Sequence, residues 1–101
     1  MIFSWDENKR EENWQIRKVD FAEAVGIFDD PEIIESIDDR EDYSEERIQA
    51  LGKTGGAFYL VVYTWRDGAR QIITAWKVGE NGKRRYKAVF EQRHRRDEGK
   101  K

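Results

Sequence analysis

Residues 51 to 56 read LGKTGG, and Gly52, Lys53 and Thr54 are the residue types that cradle a nucleotide phosphate. Such a cradle needs consecutive backbone N–H groups pointing into one cavity, with a lysine reaching the phosphate oxygens. It also needs a glycine five positions before Gly52, where this chain has Arg47. A phosphate loop opens a helix, whereas the following AFYLVVYTW is β-branched and aromatic and predicts a strand. The segment therefore predicts a hairpin tip. Charge is the other source of chemistry. Residues 1–50 hold sixteen acids and six bases, and residues 51–101 hold five acids and thirteen bases. The basic half can attract nucleic acid or an acidic partner. The acidic half can attract a basic partner or shield the other half within the molecule. Two solvated faces that keep the chain in solution are the alternative.

One hundred and one residues suit a single domain, read here as residues 1–96 with a frayed tail at 97–101. Charged residues (40%) outnumber apolar ones (38%), but thirteen aromatics, four of them Trp, supply large burial per residue. With no cysteine, disulfides and thiolate metal sites are excluded. No stretch approaches the roughly 18 to 20 apolar residues of a membrane span, and the first residues lack a signal-peptide apolar region, so the expected address is the cytoplasm with no membrane partner.

Several elements must position any site. IFSW at 2–5 predicts a strand at the sheet edge, and DENKREENWQIRK an exposed helix. Asp20 and Glu23 have capping-box spacing ahead of Phe21, Ala24, Val25 and Phe28, which recur at helical steps until Pro31. Ile33, Ile34 and Ile37 predict a short edge strand leading into the acidic run 38–46. RIQALG and AFYLVVYTW then form the two arms of the hairpin, the second apolar enough for a central strand. Asp67-Gly68 predicts a type I′ turn into RQIITAWKV. GENG at 79–82 breaks that strand, and 83–96 predicts a basic C-terminal helix with Tyr86, Val89 and Phe90 inward. The result is an α+β fold, an antiparallel sheet of about four strands with N-terminal helices packed on it and a C-terminal helix.

An ordered series of residues in this chain resembles the BrnT toxins of bacterial type II toxin–antitoxin systems, a family sharing the RelE-like ribonuclease fold. The series runs Phe3-x-Trp5-Asp6, Asn13, Val19-x-Phe21-x-Glu23-Ala24, Phe28-Asp29-Asp30-Pro31 and Arg40-Glu41-Asp42-Tyr43-x-Glu45-Glu46-Arg47. It continues through Ala50-Leu51-Gly52, Val61-Val62-Tyr63-Thr64, Ile72-Ile73-x-Ala75 and Tyr86. The resemblance implies an mRNA-cleaving ribonuclease that uses no metal or other cofactor. It also implies a BrnA-like ribbon-helix-helix antitoxin as partner, with operator DNA reached only through that antitoxin. The chemistry would be attack of the ribose 2′-OH on the adjacent phosphate, which needs a base, an acid and cations around the phosphorane. Many members carry Lys-His-Gly where this chain has Ile16, Arg17 and Lys18, Ala-Arg-Lys where it has Ala75, Trp76 and Lys77, and Glu where it has Gly82. The alternative is thus a catalytically weakened or silent member that acts as an antitoxin-binding module and takes part in operon autoregulation.

On this reading Lys77, Arg47, Arg70 and Tyr86 are the candidate catalytic residues. Lys77 ends the last strand and could stabilise a phosphate, or it serves solubility. Arg47 and Arg70 could each grip a phosphate bidentately, or each forms a salt bridge to the acidic loop. Tyr86 could donate a proton or stack on a base, although its spacing to Val89 and Phe90 favours core packing. Arg17, Trp76, Arg84 and Arg85 are the candidate RNA contacts, through charge or stacking, against surface or core roles. His94, the only histidine, falls on an exposed helix outside the matched series.

Overall fold

The computed structural model describes residues 2–40 and 44–98, with side chains as far as Arg95. Expectations that rest on Glu41, Asp42 and Tyr43, or on the last three residues, lie outside the described part. Five strands form one mixed sheet in the order β1-β5-β4-β3-β2. They are β1 Phe3–Ser4, β2 Ile34–Ile37, β3 Ile48–Thr54, β4 Ala57–Arg66 and β5 Ala69–Lys77. The sequence predicts an edge strand at IFSW and an antiparallel sheet of about four strands; that edge strand is the two-residue β1, which joins the sheet as a fifth strand by pairing parallel to the outer side of β5, Phe3 with Arg70. The other pairings are antiparallel, and β4 is central, as its apolar run requires.

Both tight turns have the backbone their residues predict. Gly55 and Gly56 take φ of 57° and 79°, and Asp67 and Gly68 take 53° and 77°, the positive pair that a type I′ turn demands. Gly52 is glycine for another reason. A Cβ there would lie 2.8 Å from Ile27 Cβ, so the bare strand backbone lets the segment above it pack down. LGKTGG is therefore a strand end and hairpin tip, and the Lys53 backbone N–H donates to the Asp30 carboxylate at 2.9 Å.

α1 spans Glu7–Arg17, with Asp6 accepting from the Asn8 and Lys9 N–H groups at its start. The helix predicted from Phe21 to Phe28 is instead a short α2, Phe21–Ala24, followed by a 3-10 segment, Val25–Asp29. The predicted capping box forms only in part: Asp20 accepts from the Ala22 N–H, while Glu23 turns away to accept from the Tyr59 hydroxyl. α3 spans Glu80–Glu98, so GENG begins the helix where the sequence predicts a break and a start at 83. Its first turn closes through the Lys83 N–H to the Gly79 carbonyl at 3.1 Å, and Gly82 sits against Val78 where a Cβ would be 2.7 Å from the valine Cβ. α3 also reaches beyond the predicted end at 96.

The core joins Val19, Phe21, Ala24 and Ile27 to Ala50, Tyr59, Val61, Tyr63, Ile72 and Ala75 on one face of the sheet. Asn13 fastens α1 to that core. Its amide donates to the Val19 and Ala75 carbonyls, both at 2.9 Å, and accepts from the Thr74 hydroxyl and the Ala75 N–H. No described helix is long and apolar enough to cross a membrane.

Candidate functional site

Alternation along a strand puts Tyr59, Val61, Tyr63 and Trp65 of β4 on the helix-covered face, together with their register partners. At the β4–β5 turn the helices no longer cover this face, and Arg70 fills the gap. Its guanidinium carbon lies 4.5 Å from the Trp65 ring centre, 4.7 Å from that of Phe28 and 5.2 Å from that of Tyr63. The rings support one another edge-on, Phe28 to Tyr63 at 5.4 Å and Tyr63 to Trp65 at 5.8 Å. Aromatic faces carry negative electrostatic potential, so this cage holds a cation without neutralising it. The Arg70 Nε is buried with no hydrogen-bond partner.

Beside the cage the Tyr63 hydroxyl donates to the Glu35 carboxylate on β2. Tyr63 is buried whereas Glu35 is exposed, so the phenol fixes the carboxylate from below and leaves it open to solvent. Burial pushes the Tyr63 phenol up, Glu35 adds to the rise, and the hydrogen bond from Arg70 pulls the other way. The end of the sheet thus presents a fixed guanidinium, an open carboxylate and an exposed indole, with Trp65 52% accessible. That set can grip a phosphate, take a proton and stack on a base. Among the described residues no group of three or more His, Cys, Asp or Glu is placed to hold a metal ion.

The four candidate catalytic residues do not converge. Lys77 pairs with Tyr59 at the far end of β5, seven residues from Arg70 and thus about 23 Å away at roughly 3.3 Å per residue. Tyr86 lies at that far end too, its hydroxyl donating to Asp30 at 2.6 Å and its ring edge-on to Phe58. Burial first and Asp30 second raise its pKa to about 12. Arg47 is near Arg70 along the sheet, but Ile48 pairs with Tyr63, so alternation turns Arg47 to the opposite face. No single phosphate can touch all four.

Two RNA-contact candidates do meet: the Arg17 guanidinium stacks 4.6 Å from the Trp76 ring centre. Arg84 and Arg85 are exposed on α3. His94 is paired with Glu32 at 3.3 Å. Sequence reading missed Glu35, Tyr63, Trp65 and Phe28 as neighbours of Arg70. Their joining depends on long-range register, and only the Trp65 exposure beside Asp67-Gly68 had a local signal.

A family model described as "Ribonuclease toxin, BrnT, of type II toxin-antitoxin system" matches residues 5–82. The chain belongs to this family. A comparison with curated proteins gives no match. Family membership makes the chain a type II toxin–antitoxin ribonuclease toxin by descent, with RNA as substrate class and an antitoxin as partner class. The matched span contains the Arg70 cage, Glu35, Arg47 and Lys77, and it ends at Gly82, the third residue of α3. Tyr86, Arg84 and Arg85 lie beyond it.

Proposed function

We propose that this BrnT-family protein is a metal-independent endoribonuclease on a RelE-like scaffold, that it cleaves mRNA in the cytoplasm, and that the exposed end of the sheet around Arg70 is its reaction centre. The observation that carries this reading is the caged guanidinium beside an open carboxylate. Arg70 is fixed before substrate arrives, so it stabilises charge developing on the phosphorane without reorganising. Glu35 takes the proton from the ribose 2′-OH; the 2′ oxygen bonds to phosphorus, the bond to the 5′ oxygen breaks, and water protonates the leaving oxygen. The products are a 2′,3′-cyclic phosphate and a 5′-hydroxyl. Trp65 holds a neighbouring base, and Arg17, Trp76 and Lys77 contact more distant parts of the strand. A BrnA-like ribbon-helix-helix antitoxin neutralises the toxin, and operator DNA is reached through that antitoxin.

The test is purified protein with RNA in the presence of EDTA, followed by mapping of the new ends. Cyclic phosphate ends in the wild type that are lost in Glu35→Gln support the reading; ends that persist at the wild-type rate in that variant remove Glu35 from it. A second reading, a silent antitoxin-binding module, draws on the separation of Lys77 and Tyr86 from Arg70 and on Trp76 and Gly82 at positions where many relatives carry Arg and Glu. It expects tight complex formation with a small basic or DNA-binding partner and no cleavage by the pure protein at any pH.

A further inference from the structure

α3 projects beyond the family match and builds a second concave surface at the opposite end of the sheet from Arg70. Between Glu80 and Arg95 it carries six Lys or Arg against two Glu. Where it crosses the β3–β4 hairpin, Phe58, Tyr86 and Phe90 line a cavity of about 390 Å³ together with Lys53, Lys87 and Glu91. The cavity is held open by the contacts around it. Tyr86 is anchored on Asp30 and meets Phe58 edge-on at 5.0 Å. Arg93 donates to the carbonyls of Glu32 at 2.8 Å and Ile33 at 3.2 Å, tying the next turns of α3 to the start of β2. Phe90 lies against the His94 ring on one side, 4.1 Å between centres, yet is 42% exposed. The Lys53 ammonium sits 5.6 Å from the Phe58 ring centre.

We propose that this cavity is a nucleobase-stacking subsite for single-stranded RNA, with Phe58 and Phe90 as the ring platform and Lys53 and Lys87 on the flanking phosphates. Exposed ring faces bordered by ammonium groups are the elements of sequence-tolerant single-strand binding. Glu91 decides between RNA and an acidic peptide. It accepts a hydrogen bond from an exocyclic amino group of a base, whereas it repels a carboxylate. Only an unstacked base can enter, so duplex is excluded. In naming RNA the proposal rests on the ribonuclease reading, but the subsite is separate from the reaction centre. Phe58 and Trp65 stand seven residues apart on β4, about 23 Å at roughly 3.3 Å per residue. The odd spacing also puts Phe58 on the face opposite Trp65, so the two platforms are separate in face as well as in distance.

The experiment measures fluorescence anisotropy of a labelled 12-nucleotide 2′-O-methyl RNA, which cannot undergo transesterification, against the full chain over a salt series. Phe90→Ala should weaken binding about ten-fold with the salt slope unchanged, as loss of one stacked base does. Lys87→Ala should lower the slope by about 0.7, one phosphate contact on a single strand. Ile16→Ser, on the exposed side of α1, is the control. Unchanged affinity in Phe90→Ala overturns the subsite, and so does equal weakening on a duplex of the same length. Intact RNA affinity in Phe90→Ala, combined with lost binding of a glutamate-rich helical peptide, also overturns it and assigns the cavity to a protein partner. Failure of the ribonuclease reading looks different: the wild type leaves unmodified RNA uncut while the blocked oligonucleotide still binds.

Discussion

Arg70 can be stripped of its charge without emptying its cage. Methionine keeps an unbranched apolar stem of similar reach, and its sulfur packs well at ring edges. Arg70→Met should therefore fill the space between Phe28, Tyr63 and Trp65 while removing the guanidinium. Three cation–ring contacts are lost, each about 0.5–1 kcal/mol where partly exposed. The unpartnered Nε, a cost in the wild type, disappears with them. The net destabilisation should be within about 1–2 kcal/mol, or a melting temperature lower by roughly 5–15 °C for a domain of this size. Activity should respond very differently. Deleting a preorganised donor that faces developing charge lowers kcat by about 10²- to 10³-fold. Arg70→Lys is the complement: it keeps the charge, loses planar stacking on all three rings, and should retain more activity with equal or lower stability. The assays are urea unfolding and single-turnover cleavage of a labelled RNA below the melting range of every variant. A folded Arg70→Met that cleaves within three-fold or so of wild type refutes the placement of the reaction centre at this end of the sheet.

Four further outcomes follow from named contacts. Lys77→Ala should raise KM for long RNA while leaving kcat in place, because Lys77 lies about 23 Å from Arg70 along β5 at roughly 3.3 Å per residue; a kcat loss matching that of Arg70→Met would move the chemistry to the other end. Asn13→Ala strands buried partners of an amide that makes four hydrogen bonds, and should cost about 2–4 kcal/mol in denaturant unfolding at roughly 1–3 kcal/mol per unpaired group. Gly52→Ala drives a methyl to within 2.8 Å of Ile27 Cβ and should cost about 1–3 kcal/mol by overpacking; a neutral result would show that the 3-10 segment yields. Acid should weaken the fold through three carboxyls held below their usual range. Arg40 holds Asp38 down, Arg10 holds Asp20 down, and at Asp30 the upward push of burial is outweighed by the Tyr86 hydroxyl and two backbone N–H groups. Their folded pKa values lie below an unfolded value of about 3.9, so the stabilisation is complete above it and is lost as pH falls through the folded values. Urea midpoints should hold down to about pH 4 and drop as pH falls below it, and Asp38→Asn should flatten that drop.

Local chemistry was legible in the sequence wherever neighbouring residues enforce it. Asp67-Gly68 and Gly55-Gly56 specify positive φ, and the apolar run of β4 specifies a central strand. What failed was decided by distant contacts. Phe21 to Phe28 has helical spacing, yet packing of Gly26 against Thr54 and of Ile27 against Gly52 accompanies a 3-10 path. Gly79 to Gly82 has breaker composition, yet Glu80 begins a helix because Gly82 can lie against Val78. The candidate site follows the same rule. Arg70 was visible as a cation beside a hairpin turn, but its partners come from β2, β4 and the 3-10 segment, and no spacing links Glu35 to Tyr63. Arg47 and Arg70 look alike in sequence and are parted by strand alternation alone.

The charge asymmetry gains a physical meaning from three of the tyrosines. Tyr59, Tyr63 and Tyr86, all from the basic half, donate to Glu23, Glu35 and Asp30, all from the acidic half. The acidic half thus engages the basic half largely through neutral phenols that occupy buried positions, and a phenol satisfies a carboxylate without consuming a cation. Direct ion pairs across the halves, Arg66 with Glu45 and Arg93 with Glu32, use only part of the positive charge. Arg84, Arg85 and Lys87 on α3 and the caged Arg70 stay available to a polyanion. Replacing the three acceptors by amides while keeping the tyrosines should then affect stability more than RNA attraction at low salt, except at Glu35, where the reaction itself should fail. If Glu23→Gln and Asp30→Asn shift the salt dependence of RNA binding as strongly as Arg84→Ala does, the acids shield the basic surface directly and the phenols are not what separates the two charges.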